Sequence, residues 1–112
     1  MARKPRNLTV SLSPQARAAL DEIWDWNCEK YNSHHADRYV RFLRSAVERL
    51  AHEFFAGKGV PKRPELSFIT IRRSQRGHGH VAVYALLGNT IVVIDFFHTA
   101  QDWQRRLRDE ID

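Results

Sequence analysis

The spacing of apolar residues changes several times along the chain, and each change predicts a new element. Residues 7–12 alternate apolar and polar side chains with a period of two, which predicts a half-buried strand. Ser13 and Pro14 then read as an N-cap and a proline at the first helical position. Apolar residues next recur at helical spacing in two stretches, one to about residue 31 and one from a Ser33 cap to Phe54. A helical hairpin is therefore expected.

The last third of the chain has the composition of strands. Glycines and prolines in residues 57–64 predict a loop of about ten residues after the second helix. β-Branched and aromatic side chains predict strands over residues 68–72, 81–87 and 90–97. Gly88-Asn89 is a favoured two-residue hairpin turn, and Thr99 with Asp102 resembles the start of a short final helix. The order β-α-α-β-β-β-α predicts an α+β fold in which a small, mostly antiparallel sheet packs on the helical hairpin.

The hairpin turn also predicts which strand residues share a face. Pairing Leu87 with Thr90 gives one wholly apolar face, which we expect to pack on the helical hairpin. That face contains Val81, Val83, Ala85, Val92, Ile94 and Phe96. The opposite face carries Arg72, His80, Tyr84 and Asp95 on an apolar bed, a mixture typical of a partner-binding surface. The alternative is that the final helix covers this mixed face.

Length and charge narrow the class of protein. The 112 residues are enough for a single domain, with residues 1–7 expected to form a flexible basic tail. The net charge is +5, and six basic side chains lie in residues 58–80, where Glu65 is the only acid. Such a basic block indicates an anionic partner or a solvated surface. Cys28 is the only cysteine, and neither a membrane-spanning run nor a signal-peptide core is present, so a cytoplasmic protein is expected.

Candidate metal and catalytic motifs are weak. His34 and His35 would point about 100° apart on a helix, and His78 with His80 has no evident further ligand. Phosphate loops, nucleophile elbows and paired catalytic carboxylates are absent from the sequence. We therefore expect no metal and no cofactor.

Several short motifs, in their order and spacing, resemble the ParE/RelE superfamily of toxins from type II toxin–antitoxin systems, and the ParE branch most. The matching residues are 12–16, 20–24, 36–39, 43, 76–84, 91–94, 97–98 and 102. The resemblance covers about residues 8–103. ParE-like chains often have an arginine where this chain has Asp95, which reverses the charge on the mixed face.

The resemblance to ParE implies a toxin that binds its target rather than an enzyme. It implies DNA gyrase as the target and a cognate antitoxin as the inhibitor. Acidic and apolar antitoxin residues would suit a basic and apolar toxin surface. The expected partner-binding residues are Arg72, Arg73, Arg76, His80, Tyr84, Asp95, Phe97 and Trp103.

The alternative is a ribosome-dependent mRNA endonuclease of the RelE type, which would work without a metal. Its candidate catalytic residues are Arg72, His80, Tyr84 and His98. Two observations argue against the endonuclease. His98 alternates in phase with the residues of its strand that are expected to face the core, and the Asp95 carboxylate would repel an RNA phosphate. Direct nucleic-acid binding is expected only through an antitoxin complex or the ribosome, since no recognition-helix or single-strand-binding signature is present.

Overall fold

The computed structural model describes residues 8–53 and 56–111 and confirms the predicted order of elements. The chain folds as β1 (Thr9–Leu12), α1 (Pro14–Lys30), α2 (Ser33–Glu48), β2 (Lys58–Val60), β3 (Arg63–Ile71), β4 (His80–Leu87), β5 (Thr90–His98) and α3 (Trp103–Ile111). A single 3-10 turn, Arg49–Ala51, follows α2. The expected tail of residues 1–7 lies outside the described residues. The prediction that the second helix continues to Phe54 is wrong, because α2 ends at Glu48 and the 3-10 turn ends at Ala51. Phe54 itself lies outside the described residues.

The N-caps of α1 and α2 are formed by side chains three residues before the backbone N–H groups that they bind. The Ser13 hydroxyl accepts a hydrogen bond from the backbone N–H of Ala16 at 3.0 Å, so the predicted cap of α1 is confirmed. The predicted cap of α2 is wrong by one residue. Asn32 is the cap, because its side-chain oxygen accepts from the backbone N–H of His35 at 2.8 Å and Ser33 already lies in the helix.

The predicted loop before the sheet contains a strand. Lys58–Val60 forms β2, which pairs antiparallel with β3, and β3 itself begins at Arg63, ahead of its predicted start. The five strands are arranged β1-β5-β4-β3-β2, with β1 parallel to β5 and all other neighbours antiparallel. The short β2 therefore forms one edge of the sheet.

A β-bulge changes the register of the central hairpin. The turn at Gly88, whose φ is +61°, pairs Leu87 with Thr90 as predicted, and the predicted pairing continues to Tyr84 with Val93. The next pair is Val83 with Asp95 rather than Ile94, so β5 carries one extra residue there. Beyond the bulge every predicted partner is wrong by one position.

The faces of β4, and of β5 up to the bulge, are the reverse of those predicted, whereas Phe96 beyond the bulge packs against the helical hairpin as predicted. Ala82, Tyr84 and Phe96 pack against the helical hairpin, together with Leu20, Leu43, Val47, Leu50, Ile71, Ile91 and Val93. Val81, Val83 and Phe97 face α3 instead, in a second cluster with Val60, Leu66 and Leu107. The two-residue period of a strand shows which residues share a face of the sheet. It does not show which of the two faces the helical hairpin covers. No helix in the described ranges is long and apolar enough to cross a membrane.

Candidate functional site

The structure divides the predicted partner-binding residues into exposed and buried groups. Arg72, Arg73 and Arg76 are exposed in the segment after β3, as a docking surface requires. The other predicted positions are covered. The exposed fraction is 1% for Tyr84, 9% for His80, 4% for Asp95 and 3% for Phe97.

Trp103 is half-buried, and its ring packs on those of Phe68 and Phe97 at centroid distances of 4.8 and 6.3 Å. The mixed sheet face is therefore covered, against the expectation that it is exposed for docking. Most of that face, including His80 and Tyr84, lies under the helical hairpin. The bulge turns Asp95 and Phe97 toward α3 on the other side.

A cluster of polar aromatic side chains lies where α2 meets the ends of β4 and β5. The Tyr39 hydroxyl and His80 Nδ1 share a hydrogen bond of 2.6 Å. The His98 ring is edge-on to that of His80 at 5.3 Å, and the His78 ring is 5.4 Å from His98. The Arg73 guanidinium lies 5.2 Å from the centre of the Tyr39 ring. The sequence pattern gave Tyr39 no polar partner, because its contact with His80 joins residues 41 positions apart.

Burial disfavours the charged forms of Tyr39, His80 and His98. Burial lowers the pKa of His80 to about 4, with a further contribution from the nearby His98. Burial and His78 likewise lower the pKa of His98. Burial raises the pKa of Tyr39, although Arg73 opposes that change. His80 is thus a neutral, buried hydrogen-bonding group at pH 7 and is poorly matched to general acid catalysis there.

The candidate endonuclease residues do not form one site. His80 and His98 are neighbours, but Tyr84 lies four positions along β4, roughly 13 Å from His80 at ordinary strand spacing. A backbone hydrogen bond from Gly57 reaches the Tyr84 hydroxyl, whose pKa is raised by burial. In residues 8–53 and 56–111 no group of three or more His, Cys, Asp or Glu side chains is placed to hold a metal ion.

An open groove with a basic rim lies along the end of β3. Strand β2 pairs with β3 only as far as Phe68, so in the described part of the chain residues 69–71 pair with β4 alone. A cavity of about 290 Å³ lies between this edge and α2. It is lined by Phe42, Ala46, Arg49, Leu50, Glu53, Ala56, Ile69, Thr70, Ile71 and Arg72. We call this the edge groove.

The chemistry of the edge groove combines an apolar wall with cationic ends. Phe42, Ala46 and Leu50 supply apolar surface from the α2 side. Arg49 and Arg72 are exposed at the rim, and the Arg73 guanidinium lies 5.5 Å from the centre of the Phe42 ring. Glu53 is the acidic side chain in the lining. Such a groove fits an extended segment with apolar and acidic side chains.

Comparison with known proteins identifies the family. A family model described as the ParE toxin of the type II toxin–antitoxin system parDE matches residues 10–103. The chain belongs to this ParE family. Proteins named Toxin ParE1 from two Mycobacterium tuberculosis strains, CDC 1551 / Oshkosh and H37Rv, are each 32% identical to it over 98 residues. Each match covers 86% of this chain and 94% of the relative.

A solved structure supports the fold of this ParE-family chain. It is described as the chromosomal ParDE TA system from P. aeruginosa and superposes with a TM-score of 0.68 at 21% identity. The match covers 81% of this chain and 95% of that chain. The resemblance to ParE that the sequence motifs suggested is therefore confirmed at the level of family and fold.

Proposed function

We propose that this ParE-family toxin inhibits DNA gyrase in the cytoplasm and is neutralised by a cognate antitoxin that docks in the edge groove. The observation that carries the docking proposal is the groove itself, a channel with a mixed polar and apolar lining beside an open strand edge, with arginines at its rim. Family membership supports the toxin role, and the name of the structural relative, a ParDE TA system, supports an antitoxin partner.

The open edge of β3 suggests how the antitoxin binds. An extended segment lying beside residues 69–71 can hydrogen-bond to the strand and place alternate side chains toward the half-buried Phe42. Acidic side chains on the segment would then meet Arg72 and Arg73. Exposed charges of this kind contribute more to association rate and selectivity than to affinity.

The docking proposal is tested by reversing the two arginines after β3. We expect Arg72→Glu with Arg73→Glu to slow association with the cognate antitoxin about tenfold or more at low salt, because attraction becomes repulsion. The matched control reverses Arg105 and Arg108, which are exposed on α3. Surface plasmon resonance over a range of salt concentrations measures both. Equal association rates for the two double variants would refute this location.

The target is tested separately with purified gyrase and negatively supercoiled or relaxed plasmid. We expect micromolar toxin to inhibit supercoiling and to increase cleaved DNA, and we expect added antitoxin to reverse both effects. If gyrase activity is unchanged while the toxin still arrests growth, the target proposal fails and the antitoxin proposal stands.

We also propose that the chain acts by binding rather than by cutting RNA. The support is the separation of Tyr84 from His80 and His98, together with the pKa of about 4 for His80. Primer extension on translated messages tests this. Codon-positioned cuts that disappear in an Arg72→Ala variant would favour the endonuclease instead.

A further inference from the structure

Two aromatic rings of α2 lie side by side next to the edge groove. Tyr39 and Phe42 are three positions apart, so they are neighbours on one face of the helix, and their ring centroids are 6.1 Å apart. Both side chains are half-buried, and Phe42 is part of the groove lining. We call this pair the aromatic platform. It connects the groove to the cluster around His80.

The Tyr39 ring of the platform is held from the sheet side by His80. His80 is the first residue of β4, is 9% exposed and pairs with Ile71 of β3 and His98 of β5. Its Nδ1 shares the 2.6 Å hydrogen bond with the Tyr39 hydroxyl, and the two ring centroids are 5.5 Å apart. A ring held by both packing and a hydrogen bond has few other rotamers open to it. The platform is therefore already in place in the free toxin.

The Arg73 guanidinium lies over both rings of the platform. Its central carbon is 5.2 Å from the Tyr39 ring centre and 5.5 Å from the Phe42 ring centre, and both distances are within the range of a cation–π contact. Arg73 is two residues beyond the end of β3 and is exposed. Ring contacts do not use up the five N–H donors of a guanidinium in ordinary hydrogen bonds. An ordered, charged donor group is thus presented at the groove.

The neighbouring arginines have the same charge but less order. Arg72 and Arg76 are also exposed, and within residues 8–53 and 56–111 neither guanidinium lies over an aromatic ring. A long side chain without such support loses rotamer freedom when it pairs with a partner, and that loss weakens the contact. Arg73 has already lost part of this freedom on the platform. The three arginines therefore differ in what they can contribute to binding.

We infer that Arg73, ordered on the Tyr39–Phe42 platform, is the anchor of the edge groove and binds a side-chain carboxylate of the antitoxin. This inference rests on the antitoxin docking proposed above. The planar guanidinium can hold a carboxylate through two parallel hydrogen bonds, which the ammonium group of a lysine cannot do. An ordered contact of this kind slows dissociation, whereas the more mobile rim charges act on association. Arg73 therefore extends the lifetime of the complex, while Arg72 and Arg76 assist encounter.

Substitution by lysine tests this inference because it keeps the charge and removes the planar donor group. With the cognate antitoxin in surface plasmon resonance, we expect Arg73→Lys to raise the dissociation rate about tenfold and to change the association rate less than about twofold. Arg72→Lys should raise the dissociation rate by no more than about threefold. Arg105→Lys, at an exposed position on α3, is the control for a lysine placed away from the groove.

A second variant tests the platform itself. Phe42→Leu removes one ring beneath Arg73 and keeps an apolar side chain in the groove. Phe42→Leu weakens binding in its own right, so the measured quantity is the effect of Arg73→Lys in that background. We expect this effect to fall from about tenfold to about threefold or less, because the arginine has lost one of its two ring contacts.

Two results would overturn the inference. One is an equal rise in dissociation rate for Arg73→Lys and Arg72→Lys, and the other is an unchanged effect of Arg73→Lys in the Phe42→Leu background. The charge reversal of Arg72 and Arg73 described above separates these failures from failure of the docking site. If that reversal slows association, the groove remains the docking site and only the anchor role of Arg73 is lost. If it does not, the docking proposal fails as well.

Discussion

The burial of His80 predicts a specific loss of stability in mild acid. Its pKa is about 4 in the folded chain against 6.5 for an ordinary histidine, so between these values the unfolded chain binds a proton that the folded chain does not. Stability from this group is therefore complete above pH 6.5 and is lost as the pH falls toward 4. Between pH 7 and pH 5 the expected loss is about 2 kcal/mol, and the full window corresponds to about 3 kcal/mol.

Asp95 changes stability in the opposite direction over the same window. Its folded pKa of about 7 exceeds the ordinary 3.8, so the folded chain binds the extra proton, and stability rises as the pH falls from 7 toward 4. The two contributions are of similar size and opposite sign, so they largely offset each other between pH 7 and pH 5. The His80 contribution appears only as a difference between variants.

The informative variant is His80→Asn, because an amide oxygen near the position of Nδ1 can still pair with the Tyr39 hydroxyl but does not titrate. We expect its destabilisation, measured by urea unfolding, to be about 2 kcal/mol smaller at pH 5 than at pH 7. The matched variant Asp95→Asn should lose its own pH dependence with the opposite sign. An equal cost of His80→Asn at both pH values would refute the argument, because His80 would then accept a proton in the folded chain without penalty.

Three further substitutions probe contacts seen in the structure, each measured by denaturant unfolding. Tyr39→Phe leaves His80 Nδ1 without its 2.6 Å partner and should cost about 1–3 kcal/mol, and a cost near zero would mean that water replaces the hydroxyl. Gly79→Ala should cost about 1–3 kcal/mol, because the Ile71 carbonyl oxygen occupies the space of the added Cβ; full stability would show that the strand ends move apart freely. Leu107→Ala should lower the free energy of unfolding by about 2–5 kcal/mol and should make α3 more susceptible to cleavage by trypsin. An unchanged rate of cleavage would show that Leu107 does not anchor the helix.

Features set by neighbouring residues were predictable from the sequence. The Ser13 cap with Pro14 and the Gly88-Asn89 turn depend on side chains and backbone angles within a few positions, so they appear where the pattern places them. The β-α-α-β-β-β-α order follows from the same local spacings, and the resemblance to ParE rests on short motifs spread along the chain. The missed strand β2 has only three residues, and its pairing with β3 rather than its own composition makes it a strand.

The site depended on relations between distant parts of the chain. A two-residue period fixes which strand residues share a face, but a single bulge opposite Val83 shifts every later partner and turns Asp95 under α3. The choice of face for the helical hairpin is made by how much apolar area each layer can bury, so His80 and Tyr84 became core residues instead of a docking surface. The sequence by itself determined the family, the elements and the exposed arginines. Only tertiary packing decided where those arginines meet the edge groove, because burial depends on how the helical layer and the sheet pack together and not on the pattern along one strand.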